Sequence, residues 1–218
     1  GPFPATRADQ ILGMNGIARY KHLLAFFPDR EKESLLTPAL RKAIGNSHTT
    51  DYLASHFGSR GRDVLNRYLR LDLGTYLPED ILFKVDVASM ANSLECRSPF
   101  LDHELIELAF SLPGSYKLSA AGRHKHILKE AFRDWLPAGF MDRPKKGFSA
   151  PIGHWLKDDL SGMLRELLVD QRTLAPWIRQ ELVQRYVTEH VAGRAGHGNR
   201  LWPLLVLALW MRRFGISA

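Results

Sequence analysis

Cysteine is nearly missing from this chain. A single one, Cys96, stands among 218 residues, which excludes an intramolecular disulfide framework and any zinc or iron–sulfur centre built from several cysteines. No uninterrupted apolar run reaches the roughly 18 residues that span a bilayer, and no basic start leads into an apolar signal segment. The expectation is a cytoplasmic protein with no membrane partner. The opening Gly1-Pro2 does not resemble a natural start, and the chain is expected to be a fragment of a longer protein. Strand formers are scarce as well: Val and Ile total 17, against 33 Leu and 20 Ala, a balance that favours helix over sheet.

What is present suits one helical domain or two small ones. The chain is 45% hydrophobic and 24% charged, enough for a real core. Apolar residues recur at spacings of three and four in Tyr20–Phe27, Val64–Leu71, Ile81–Leu94, Leu105–Phe110, Ile127–Leu136, Met163–Val169, Trp177–Val191 and Leu204–Phe214, which predicts about eight helices. The predicted fold class of this chain is all-α. Turn residues cluster at Gly45–Thr50, Gly74–Pro78, Pro113–Gly122, Pro137–Pro151 and Gly193–Asn199. The net charge is +7. Residues 1–70 hold eleven bases and six acids, and Tyr116–Lys146 holds eight bases and three acids. Such patches draw nucleic acid, an acidic membrane surface or a small polyanion such as a nucleoside triphosphate, and charge alone does not choose.

The most informative stretch is Leu77–Asp102, LPEDILFKVDVASMANSLECRSPFLD. Pro78, Glu79 and Asp80 form a helix-start signal, with two carboxylates at the positive end of the helix dipole. On a continuous helix Lys84, Ala88, Ala91 and Glu95 share one face, with Asp86, Ser89 and Ser93 beside it. Small side chains between the charges leave room for a ligand or another backbone. The same charges also read as structural ion pairs of Lys84, Asp86, Glu95 and Arg97 between helices.

Lys84-x-Asp86-x-x-Ser89-Met-Ala-x-Ser93-Leu-Glu95-x-Arg97-x-Pro99-Phe-Leu-Asp102 resembles the synthetase domain of glutamine-dependent asparagine synthetases. The likeness continues through Asp102–Pro113, Gly122-x-x-Lys125-x-Ile127-Leu128, Leu136-Pro137 and Arg143-Pro-Lys-Lys-Gly-Phe-Ser149, and then Asn199-Arg-Leu-Trp202. It covers about Leu69–Phe214, so residues 1–68 are expected to be a variable helical connector and 69–218 the carboxyl-terminal part of the synthetase domain. The family's glutaminase domain and the pyrophosphate loop of its nucleotide-binding sheet have no counterpart here. The resemblance thus implies the helical portion of an α/β adenine-nucleotide α-hydrolase-like (ATP pyrophosphatase) domain.

The implied chemistry is ATP-dependent amidation through an acyl-adenylate. The resemblance makes Lys145 the catalytic-loop lysine and places Lys84, Asp86, Glu95 and Arg97 at the substrate edge. Lys125 becomes a phosphate ligand or a helix cap, and Arg143 an anchor of its loop to a helix carboxyl end. Glu79 or Asp80 takes the place of a proton-removing acid, or simply starts a helix. His124 and His126 lack metal-ligand spacing, and no metal site is expected in this chain. ATP and Mg2+ are implied for the full-length enzyme, with neither bound by the fragment. Its expected partners are the upstream glutaminase and nucleotide-binding portions, small-molecule substrates and a second copy in a homodimer, with no nucleic acid. Trp202, Leu205, Leu209 and Trp210 read as core. Two other readings stand beside this one: a non-catalytic helical scaffold and a nucleic-acid-binding module.

Overall fold

A computed structural model describes residues 14, 16–45, 48–58, 63–137, 139–143 and 150–216. These residues are mostly helical and form no strand; two isolated antiparallel bridges, Leu36 with Ile178 and Leu118 with His124, are the sheet-like pairings among them. They fall into two compact units, one drawn from 22–47 and 147–218, the other from 12–21 and 48–146. The first is called here the terminal unit and the second the central unit.

The helices are α1 Gly16–Leu24, α2 Asp29–Leu35, α3 Pro38–Ile44, α4 His48–Phe57, α5 Val64–Gly74, α6 Phe83–Met90, α7 His103–Ser111, α8 Gly114–Lys117, α9 His126–Ala131, α10 Ile152–Lys157, α11 Ser161–Arg165, α12 Gln180–Val191 and α13 Gly198–Phe214. Side-chain caps start several of them. Thr37 accepts from Leu40 N at 3.3 Å, with Pro38 opening α3; Asp63 accepts from Asn66 N at 3.1 Å at the start of α5; Asp102 accepts from Glu104 N and Leu105 N at α7. Each satisfies amides that have no intrahelical acceptor. Helices α2, α3, α4, α8 and α10 lie outside the predicted periodic segments. All are ten residues or shorter, too short for periodicity to declare itself.

The terminal unit is organised around Leu156, Leu164, Leu167, Leu168, Leu174, Val183, Val187, Leu201, Leu205 and Ala208, all buried. Leu35 from α2 belongs to the same core, and the chain beside it is clasped to 176–179: Thr37 N donates to Trp177 O at 2.9 Å, Arg179 N to Leu35 O at 2.8 Å, and Thr37 Oγ1 to Pro176 O at 3.1 Å. Of the residues predicted as core, Leu205 is buried and Trp202 and Leu209 pack against the cluster. Trp210 does not follow: it is half exposed and packs on Phe214, ring centroids 5.4 Å apart. Helix α13 is apolar on every side, so burying one face leaves another in water.

The core of the central unit is much smaller. It consists of Tyr20, Leu53, Phe57 and Leu71, with Ile17 and Tyr68 packed on them. Tyr20 OH donates to Asp72 Oδ1 at 2.7 Å, and Thr75 Oγ1 donates to Leu71 O at 2.6 Å. Burial, with the Asp72 carboxylate alongside, pushes the Tyr20 phenol up to about 12.

Candidate functional site

Every described residue that the sequence nominates for the site lies in the central unit. The Leu77–Asp102 stretch opens as a π-helical segment, Leu77–Leu82. Pro78 has no N–H for the carbonyl four residues back, and the winding widens there before tightening into α6. Glu79 is occupied: Tyr52 OH donates to its Oε1 at 2.5 Å. Asp80 pairs with Lys84, one turn on, at 3.8 Å.

The predicted helix to Leu94 ends sooner, at Met90. Asn92 Nδ2 caps the Ala88 carbonyl at 2.9 Å, Leu94 N returns to Ser89 O at 3.0 Å, and Ser93 takes a left-handed φ of 55°. A non-glycine residue in that region costs conformational energy, and it turns the chain sharply. Glu95 and Arg97 therefore do not continue the face of Lys84, Ala88 and Ala91. They stand on an extended segment after the turn. There they pair with each other, Arg97 Nε donating to Glu95 Oε1 at 2.6 Å, in full view of solvent with Arg97 85% and Glu95 67% exposed. Asp86 is exposed on α6, its carbonyl taken by Ser89 Oγ at 3.2 Å. Among the described residues the ion pairs made by the charges that were open to reading as interhelical pairs are local, Lys84 to Asp80 and Glu95 to Arg97.

Lys125 also has left-handed backbone, φ 56° and ψ 38°, at the position before α9. It makes no side-chain capping hydrogen bond there. Its neighbours form a network of charges: Arg123 to Glu130 at 3.1 Å and to Asp142 at 3.8 Å, and Lys129 to Asp142 at 3.4 Å. Arg143 stacks over the Phe140 ring at 4.8 Å. Lys145, Lys146 and Gly147 lie outside the described residues.

Around these charges the central unit presents apolar surface. Phe83 (65% exposed), Val87, Met90, Leu94, Phe100 and Leu108 are all exposed. A groove of about 1200 Å³ opens elsewhere on the same unit, between α4, α5 and 110–118; Phe57, Asp63, Arg67, Arg70 and Phe110 are among its lining residues, and none of the nominated residues is. Asp63 sits in it as a structural hub, accepting from Gly114 N as well as Asn66 N. These backbone donors hold its carboxyl below the usual range. Gly114 is demanded by that approach, since a Cβ there would meet the Asp63 oxygens at 2.7 and 2.8 Å. No motif in the sequence flagged this groove, because its lining comes from three segments with unremarkable composition.

Among the described residues no three His, Cys, Asp or Glu side chains gather to hold a metal. No helix among them is long and apolar enough to cross a membrane.

The chain matches the Asparagine synthase family over residues 7–212, a span that takes in most of the connector as well as the motif-bearing part. It is 33% identical over 180 residues to asparagine synthetase [glutamine-hydrolyzing] 1 of Bacillus subtilis, covering 82% of this chain and 28% of that protein. It is 37% identical over 167 residues to a putative asparagine synthetase [glutamine-hydrolyzing] of Mycobacterium bovis, covering 75% and 25%. Amidase chry2 of Gibberella zeae is 30% identical over 140 residues, 58% and 21%. No solved structure matches. The chain spans about a quarter of the length of the two synthetases. With the family pattern running through nearly all of its 218 residues, the chain belongs to the asparagine synthase family.

Proposed function

We propose that this chain is the helical carboxyl-terminal part of the synthetase domain of a longer, glutamine-hydrolysing, ATP-dependent carbon–nitrogen ligase. The observation that carries the reading is the family match over residues 7–212 in a chain covering about a quarter of its relatives. The rest of the domain would be its α/β nucleotide-binding sheet, and the exposed apolar residues around α6 and α7 give that portion a surface to pack on. A glutaminase portion upstream, a homodimer and a cytoplasmic location belong to the same proposal.

The acceptor carboxylate, aspartate or a relative, attacks the α-phosphorus of ATP. The bond to the bridging oxygen breaks, and pyrophosphate leaves an acyl-adenylate. Ammonia from glutamine adds to the acyl carbon, and AMP departs with the electron pair of the mixed anhydride, giving the amide. Charge accumulates on phosphate and acyl oxygens at each step, and cations fixed beside them lower the barrier. Lys145 is assigned that task and Lys125 a supporting one toward phosphate. Lys84, Asp86, Glu95 and Arg97 orient the acceptor. Among the described residues all four are exposed, and the pairs of Lys84, Glu95 and Arg97 are local, which leaves them little to do for folding and fits residues kept for a ligand. The full-length enzyme uses ATP with Mg2+.

The test is aspartate-dependent pyrophosphate release by the full-length protein with glutamine or ammonia. Lys145→Ala is expected to lower turnover roughly a hundredfold with a smaller change in apparent ATP affinity, as loss of a preorganised transition-state contact does, and Lys146→Ala to be mild. A larger defect in Lys146→Ala would reverse the register. The 218-residue chain alone is expected to release no pyrophosphate, and release would overturn the division of labour proposed here.

A further inference from the structure

Helices α6, α12 and α13 close with the same pair of backbone hydrogen bonds. After α12, Gly193 N donates to His190 O at 3.0 Å and Arg194 N to Glu189 O at 2.9 Å; after α13, Gly215 N donates to Arg212 O at 3.4 Å and Ile216 N to Met211 O at 2.9 Å. After α6, Ser93 N donates to Met90 O at 3.0 Å and Leu94 N to Ser89 O at 3.0 Å. The residue at the pivot of this closure must take left-handed backbone, and the three pivots have φ of 69°, 63° and 55°. Two of them are glycine, which enters that region without a steric cost. The third is Ser93, whose Cβ makes the same conformation unfavourable.

Little else in the sequence stops α6 at this point. Ala91, Leu94, Glu95 and Arg97 are good helix formers, and the next helix breaker is Pro99. A helix continued through Ser93 would carry Glu95 round to the face of Lys84 and Ala88. The left-handed pivot diverts it, and Asn92 adds a second lock through its bond to the Ala88 carbonyl at 2.9 Å. The two courses are far apart: a helix advances about 1.5 Å per residue and an extended chain about 3.3 Å, so over residues 94–97 they separate by about 7 Å. The Glu95–Arg97 pair stands where it does because of the turn two residues before it.

We infer that Ser93 is a positioning residue: its left-handed backbone, and not its hydroxyl, sets where Glu95 and Arg97 stand toward the acceptor carboxylate. The inference rests on the reading that gives those two side chains to the acceptor. A non-glycine residue held in left-handed backbone against its own preference is a mark of functional segments. A misplacement of about 1 Å is enough to cost catalysis heavily, and losing the turn moves the pair by several times that.

The experiment compares four variants of the full-length protein, assayed with aspartate well below their melting temperatures. Ser93→Gly and Ser93→Asn lose the hydroxyl but suit left-handed backbone. Ser93→Thr keeps the hydroxyl on a β-branched side chain that resists it, and Ser93→Ala has neither. Positioning predicts that kcat/KM for aspartate falls about tenfold or more in Ser93→Thr and Ser93→Ala, with KM for ATP within about threefold, while Ser93→Gly and Ser93→Asn stay within about threefold of the wild type on both. A fall that strikes aspartate and ATP alike would make the turn merely structural. Full activity in Ser93→Thr with loss in Ser93→Gly would make the hydroxyl the working group. Either result overturns the inference, as does an unchanged Ser93→Ala. In each of these cases the wild type is active and the functional reading stands. A wild-type protein with no aspartate-dependent pyrophosphate release overturns that reading, and the inference falls with it.

Discussion

Among the described residues the terminal unit buries fifteen in one cluster, whereas the central unit buries four in its own. Their polar chemistry differs in the same sense. In the terminal unit Glu31 forms a two-pronged pair with Arg200, whose Nη2 donates to Oε2 at 2.9 Å, and Tyr186 OH donates to Oε1 at 2.9 Å. In the central unit the charges of the candidate site pair locally and in water. The terminal unit thus holds itself together, while the central unit spends its apolar and charged side chains on a surface. Half-exposed helices bearing both kinds of residue mark a region whose structure serves something beyond itself.

The sharpest way to break that contrast is to cut cavities. Leu164→Ala or Leu201→Ala, both at positions with no exposure, is expected to cost about 3–5 kcal/mol in urea unfolding of the 218-residue chain. Leu108→Ala on the exposed face of α7 should stay within about 0.5 kcal/mol. Equal costs would show that the two units do not differ as described.

Glu31→Ala comes next, at about 2 kcal/mol, because Arg200 loses its partner while partly buried. Burial opposes the charge on Glu31, but the hydrogen bonds from Arg200 and Tyr186 outweigh it and hold the carboxyl below its ordinary 4.5. A depressed folded value gives stability that is complete above about 4.5 and is lost as pH falls through that value toward the lower folded one. Glu31→Gln should flatten this acid limb of the unfolding curve, and an unchanged limb would place the acid sensitivity elsewhere.

A smaller effect, of opposite sign in pH, belongs to the central unit. The Tyr20 phenol is raised from 10.0 to about 12, so its contribution is present below pH 10 and is lost as pH climbs from 10 to 12. Tyr20→Phe removes that alkaline dependence and costs about 1 kcal/mol at neutral pH through the lost bond to Asp72, readable from thermal melts at pH 8 and pH 11. Smallest of all, Glu95→Gln and Arg97→Gln should leave stability within about 0.5 kcal/mol while altering turnover in the full-length protein. A substantial loss of stability would return these residues to a structural role.

The helical class was legible because leucine and alanine dominate and the longer helices α5 and α12 repeat at helical spacing. What escaped was local or distant. The stop of α6 at Met90 depends on Ser93 adopting a left-handed turn, a choice that glycine advertises and serine does not. The bond between Glu31 and Arg200 joins positions 169 apart, and no periodicity reports such a pair. The site's charged residues were readable as a motif, yet their faces were assigned on a helix that ends before reaching Glu95.

The clasp between Leu35–Thr37 and 176–179 has a kinetic corollary. The terminal unit is discontinuous, its segment 22–47 separated from 147–218 by the larger segment of the central unit, 48–146. During synthesis α2 emerges with nothing to pack on, and it waits until α12 and α13 have left the ribosome. The central unit is discontinuous as well, but its 12–21 segment waits only for 48–146, a shorter delay that ends by residue 146. The more deeply buried unit is therefore the one completed last in synthesis, and with a loop of nearly 140 residues to close, its assembly is expected to be the slower phase when refolding is followed by stopped-flow fluorescence.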